Sequence, residues 1–276
     1  MVKKTIKQAL VFVIFCVLLC MVLSCSDSGS DFYGTVEGLD FPVKNFDDVD
    51  KYYCFALFPW DNAGLETHGG IDIAVRDDSP GVTKKVPLVA AAPASVELID
   101  YGETGAGVRS VVVILKMNEY WYMAYIFEPQ TEDEEAFDEQ IASIDVQVGE
   151  RVARGQKIGD LIVKNTVEDH YPHLHFSFLY KNPADSWQEL FENPLSIHVS
   201  DGTDLAPLTG PGSPWHPEAL EGKPTTFYCP YEYSTQTAKE LYDSKARMAA
   251  DESASVCSCI CAYGSVGGNC GECPPL

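Results

Sequence analysis

Three histidines and one aspartate have the types and spacing that bind a divalent metal. His68-Gly69-Gly70-Ile71-Asp72 sets an imidazole and a carboxylate four residues apart. The two adjacent glycines disfavour a helix, so this segment reads as a turn entering a strand. Much farther along, His173-Leu174-His175-Phe176 places two imidazoles at i and i+2. In a strand such residues point to one face, roughly 6.5–7 Å apart, while Leu174 and Phe176 point to the other, into a core. Histidine nitrogen and carboxylate oxygen are zinc ligands, and a catalytic zinc takes three protein ligands and keeps one position for water. Zinc so held acidifies the water and polarises a carbonyl. Either motif alone is weak; together, in one region of strand-like sequence, they point to metal-assisted hydrolysis.

The segments that must position these residues are strands. Residues 86–92, 94–99, 110–116 and 120–127 are β-branched or aromatic runs separated by turn residues, which is the pattern of short β-strands. Residues 132–144 form an acidic insert with one helical turn or two. Residues 202–224, rich in Pro and Gly, read as a linker. Residues 234–251 have a helical composition with Ser234 in N-cap position. The expected organisation is a leader over 1–24, a tether over 25–50, a β domain over 51–200, a linker with a short helix over 201–256, and a Cys-rich tail over 257–276.

Taken together, several stretches resemble the lysostaphin-type zinc endopeptidases. They are His68 to Asp72 with Ile73-Ala74 after it, the strand 86–92, and His173-Leu174-His175-Phe176. Between them, residues 146–159 read VQVGERVARGQKIG, close to that family's V-x-V-G-x-x-V-x-x-G-Q-x-I-G hairpin. Asn193-Pro194-Leu195 is similar to the proline that follows its last strand. The resemblance runs over roughly residues 55–198. It implies a mainly β fold, an antiparallel sheet of the barrel-sandwich hybrid kind, here with a Cys-rich C-terminal extension. It also implies Zn2+ held by His68, Asp72 and His175, with His173 as a catalytic histidine beside the metal. The implied substrate is the peptide of bacterial cell wall, as cross-links or stem peptides.

The sequence departs from that pattern at three places. Active members carry a further histidine in a Tyr-Ala-His-Leu-like strand, and here the strand reads Tyr122-Met123-Ala124-Tyr125-Ile126, with Tyr125 at the histidine's place. A phenol can donate a hydrogen bond to a developing oxyanion, but with a reference pKa of about 10 it is a poor base near neutrality. Glu168-Asp169-His170-Tyr171 replaces a small-residue approach to the His-x-His strand, and His170 is either a substitute histidine or a solvated loop residue. The acidic insert could line or cover the groove. Three readings follow: a zinc metallopeptidase of cell-wall peptide, a degenerate domain that binds cell wall or regulates a partner hydrolase, and a structural lipoprotein. The ligand set favours the first two, and Tyr125 favours the second over the first.

The amino terminus sets the compartment. Lys3, Lys4 and Lys7 precede an apolar run over 9–23, of signal-peptide length and short for a membrane span. The run ends in Val22-Leu23-Ser24-Cys25, which resembles the bacterial lipobox and implies cleavage before Cys25 and a diacylglycerol thioether on it. The expected location is therefore outside the cytoplasm, anchored at an outer membrane or cell surface. The formal net charge is −22, and the leader removes only lysines, so the mature chain is more acidic still. This excludes nucleic acid as a partner and electrostatic adsorption to anionic surfaces. Nothing in the sequence fixes the oligomeric state. Of the ten cysteines, Cys54, Cys229, Cys257, Cys259, Cys261, Cys270 and Cys273 remain once the leader residues and Cys25 are set aside. In an oxidising compartment these read as disulfides, with one left over. The tail spacing would also suit thiolate ligation of zinc.

Overall fold

The computed structural model describes residues 38–53, 70–75, 83–103, 109–129, 134–164, 172–192, 198–199, 224–228, 230–231 and 233–250. Cys25, His68, His170 and every other cysteine lie outside these residues.

The β-branched and aromatic runs form strands because each alternates a side chain into the core with one out of it. In chain order the strands are β1 (Val49–Tyr53), β2 (Ile71–Val75), β3 (Lys84–Val89), β4 (Ala94–Glu103), β5 (Arg109–Lys116), β6 (Trp121–Glu128), β7 (Arg151–Val152), β8 (Lys157–Val163), β9 (His173–Tyr180), β10 (His198–Val199) and β11 (Thr226–Tyr228). Among the described residues three α-helices accompany them, α1 (Glu134–Ala142), α2 (Trp187–Glu192) and α3 (Gln236–Ala250). The main sheet runs β1-β2-β9-β6-β5-β4-β7, with β11 also on β9 and β10 on β11, and β3 and β8 form a second sheet. Among the described strands only the two-residue pair β10–β11 is parallel. The architecture is thus mainly antiparallel β. Among the described residues no helix is long and apolar enough to cross a membrane.

One face of the main sheet is the core. Trp121, Met123, Tyr125 and Phe127 of β6 lie there beside Leu174, Phe176, Phe178 and Tyr180 of β9 and Ile71 and Ile73 of β2. Trp121 stacks on Phe178 with ring centroids 4.7 Å apart. Each large side chain buried this way contributes roughly 1.5–3 kcal/mol relative to exposure. The other face carries a smaller apolar cluster of Ile114, Tyr122, Ala124 and Leu179.

Several sequence expectations need correction here. Residues 38–50, expected in the tether, are core. Leu39, Phe41, Val43 and Val49 are buried, and the backbone of this segment bonds to Ala91, Pro87 and Tyr233. The apolar residues of this stretch are too sparse to give a periodic signal, so burial could not be read from them. The 146–159 segment is not a hairpin: β7 pairs with β4, and β8 pairs with β3 in the other sheet. Gly149 and Gly155 hold φ of +86° and +74°, the left-handed region in which glycine is unstrained; the Gly149 turn leads into β7, and the Gly155 turn carries the chain from β7 to β8 in the other sheet. The acidic insert forms α1, which buries Ala136, Phe137 and Gln140. Gln140 Nε2 donates to Asp160 O, and its Oε1 accepts from Ile162 N–H, so the helix is fastened to β8. Helix α3 is capped by Thr235, whose Oγ1 accepts from Ala238 N–H at 3.2 Å. Ser234, the expected cap, instead donates to Pro230 O.

Candidate functional site

Strand register brings the chemistry-bearing residues together. Asp72 of β2 lies opposite His175 of β9, and Ala74 opposite His173. On the far side of β9, Glu128 of β6 lies opposite His173, Ile126 opposite His175 and Ala124 opposite Ser177. Side chains alternate, so Leu174 and Phe176 enter the core while His173, His175 and Ser177 emerge on the other face. Asp72, Ala124, Ile126 and Glu128 share that face.

The contacts are close. His175 Nδ1 is 2.9 Å from Asp72 Oδ1, and its Nε2 is 2.8 Å from Ser177 Oγ. His173 Nε2 is 3.8 Å from the same Asp72 oxygen and 3.3 Å from Glu128 Oε2. These four charged or imidazole side chains are 12–18% exposed, shielded yet reachable from solvent. Gly70 makes the His175 position possible: a Cβ there would stand 2.7 Å from His175 Nε2, 2.6 Å from Ser177 Oγ and 2.7 Å from the Phe176 carbonyl. The second glycine of the His68 motif is therefore needed for close approach as well as for the turn.

The donor set can be tested against zinc. With bonds of about 2.0–2.1 Å, two ligands of a tetrahedral zinc stand roughly 3.3 Å apart. Asp72 Oδ1 and His175 Nδ1, at 2.9 Å, reach that spacing with a small outward turn. A metal on Nδ1 would leave the Nε2–H of His175 to donate to Ser177, the kind of partner that fixes a ligating histidine. Without it, an Nδ1–H donates to Asp72 and Nε2 accepts from Ser177. Among the described residues no group of three or more His, Cys, Asp or Glu side chains is arranged to hold a metal. The third expected ligand, His68, is outside them, as is His170. The residues present thus fit two of three expected positions.

Tyr125 is not on this face. It is wholly buried on the core side, opposite Phe176. Its hydroxyl donates to Val89 O at 3.0 Å and accepts from Ala91 N–H at 2.7 Å. Burial raises its pKa well above the usual phenol value, so it stays protonated. The expectation that Tyr125 stands in for a site histidine is corrected by parity: a one-residue offset along a strand reverses the face. Of the β6 residues that do face the site, Ala124 and Ile126 neither donate nor accept protons, and only Glu128, at the strand end, carries a polar group. Ser177 and Glu128 were missed in the sequence. Ser177 continues the i, i+2 series of His173 and His175 and was open to the same arithmetic. Glu128 needed the β6–β9 register.

Neither a family model nor a curated protein sequence matches the chain. Solved structures do. The SpoIIQ–SpoIIIAH pore-forming complex matches at 18% identity and TM-score 0.36, over 54% of this chain and 86% of that one. A zinc-containing peptidase from Vibrio cholerae matches at 18% identity and TM-score 0.32, over 52% of this chain and 37% of that one. Lysostaphin matches at 20% identity and TM-score 0.34, over 56% of this chain and 51% of its own. The chain therefore spans about a third to a half of the length of these two peptidases. The mainly antiparallel β architecture stands on the strand pairing itself.

Proposed function

We propose that this chain is an exported lipoprotein, anchored through Cys25, whose β domain holds zinc through His68, Asp72 and His175 and cleaves peptide of bacterial cell wall. The observation that supports this most is the Asp72–His175 contact at 2.9 Å, with His173 alongside on the same half-buried face. Two ligand-type residues distant in sequence meet there, and Gly70 clears the space. Zinc in that position would polarise a peptide carbonyl and lower the pKa of a water. His175 and Asp72 would bind it, Ser177 would orient His175, and His173 is the group near enough to exchange a proton.

A second reading, binding of cell-wall peptide without cleavage, is favoured by one observation. Ala124 and Ile126 occupy the site face of β6, so that stretch offers no second histidine. The two readings part on turnover. Mature full-length protein should contain stoichiometric zinc, lost in Asp72→Ala, and should release peptide fragments from purified cell wall, followed by mass spectrometry. Zinc with retained wall binding but no fragments would leave the binding reading. Protein that stays zinc-free after incubation with zinc would overturn the peptidase reading, and absence of wall binding would overturn the second.

A further inference from the structure

We propose that Glu128 is the positioning residue for His173: its carboxylate holds the proton of that imidazole on Nε2 and leaves Nδ1 as the acceptor. The inference rests on the peptidase reading for its consequence and on geometry alone for its substance. Glu128 is the last residue of β6 and lies directly opposite His173 across the β6–β9 ladder. Its Oε2 is 3.3 Å from His173 Nε2, and Asp72 Oδ1 is 3.8 Å from the same nitrogen. Two carboxylates thus converge on one ring nitrogen, and both are largely shielded from water. A neutral imidazole has one N–H and one lone pair. The nitrogen that faces two carboxylates is the one that carries the hydrogen, because a lone pair there would face acceptors only. A carboxylate paired with the far side of a catalytic or ligating histidine sets its tautomer and ring orientation. Glu128 occupies that position in a strand whose other site-face residues, Ala124 and Ile126, cannot.

Being placed by backbone register rather than by a loop, the pair is fixed as soon as β6 and β9 zip together. Asp72 is expected to turn toward the metal when zinc binds, which would leave Glu128 as the carboxylate holding Nε2–H. Removing Glu128 should then weaken the hold on Nε2–H and favour exchange of tautomers, without removing any ligand.

The experiment is 15N–1H correlation of the histidine side chains in the mature full-length protein, zinc-free and zinc-loaded, for wild type, Glu128→Gln and Glu128→Asp. His173 signals should report the Nε2–H tautomer in wild type and an averaged pattern in Glu128→Gln. Glu128→Asp should recover part of the wild-type pattern, and within each zinc state His175 signals should be the same in all three proteins. Zinc affinity should stay within about twofold. Cell-wall cleavage should fall roughly 10–100-fold in kcat, the range typical of lost outer partners, with KM unchanged. A wild-type His173 in the Nδ1–H tautomer, or His173 signals indifferent to Glu128→Gln, would overturn the proposal. Intact His173 behaviour in a protein without any turnover would instead sink the peptidase reading and leave this one standing.

Discussion

Tyr125 shows how a single hydroxyl can serve the scaffold instead of the site. Its oxygen bridges the Val89 carbonyl and the Ala91 N–H, tying β6 to the chain leaving β3. Tyr125→Phe leaves both backbone groups without that partner inside the core, and a buried unsatisfied group costs about 1–3 kcal/mol. The expected result is a lower midpoint in urea with an unchanged slope and unchanged zinc content. The pH dependence has a definite sign. The folded-state pKa is raised by burial while the unfolded chain releases this proton near pH 10. The stability contributed by Tyr125 is therefore whole below about pH 10 and is lost as pH rises beyond it. Urea denaturation near pH 8 and near pH 11 should show a fall in wild type that is smaller in Tyr125→Phe. Tyr125→His should give no gain in turnover, since the new ring would enter the core; a clear gain would mean the face assignment is wrong.

At the scale of elements, the domain depends on polar fasteners between helices and strands. Gln140, wholly buried, is the main one on α1. Besides Asp160 O and Ile162 N–H it reaches Ser143 Oγ at 2.9 Å. Lys85 adds an ion pair to Glu139 at 2.9 Å, but both partners are exposed and such pairs contribute little. Gln140→Ala should therefore destabilise by roughly 1–3 kcal/mol through the groups it abandons, while Glu139→Gln should be near neutral. Thermal denaturation followed by circular dichroism distinguishes the two. Equal effects would show that α1 is held by charge and not by these hydrogen bonds. Helix α3 is fastened differently: Tyr242 meets Phe41 at 4.8 Å between ring centroids, which joins the C-terminal helix to the N-terminal segment.

At the scale of the whole molecule, that contact decides where the domain begins. Residues 38–50 supply Leu39, Phe41, Val43 and Val49 to the core. Arg154 adds Nη2–H to Gly38 O at 2.9 Å and an ion pair with Asp40. A protein truncated before residue 38 should fold as the full chain does. One truncated before residue 51 loses four buried apolar side chains, each contributing roughly 1.5–3 kcal/mol, against a typical total of about 5–15 kcal/mol. It should lose the cooperative thermal transition and become protease-sensitive. A cooperative transition in the shorter protein would show that residues 38–50 are an attachment and not part of the domain.

Strand character, the two metal-type motifs and the sharing of one face by His173 and His175 were all legible in the residues, because they depend on local periodicity. The i, i+2 rule needs only the knowledge that a segment is a strand, and Leu174 and Phe176 in the core follow from it. The glycines at 149 and 155 could likewise be read as turns from the chain alone. Which strands those turns serve could not be read locally, since β7 and β8 pair with β4 and β3, more than fifty residues earlier. Nor could the role of Tyr125, because the face a residue occupies depends on a register that one residue of offset inverts. Glu128 became visible only when β6 and β9 were paired, and the N-terminal segment joined the core through partners roughly fifty to two hundred residues away. The sequence by itself determined which residues can do chemistry and which local shape carries them. The tertiary structure decided which of them meet, because contacts between distant segments are set by pairing and packing and leave no period in the chain.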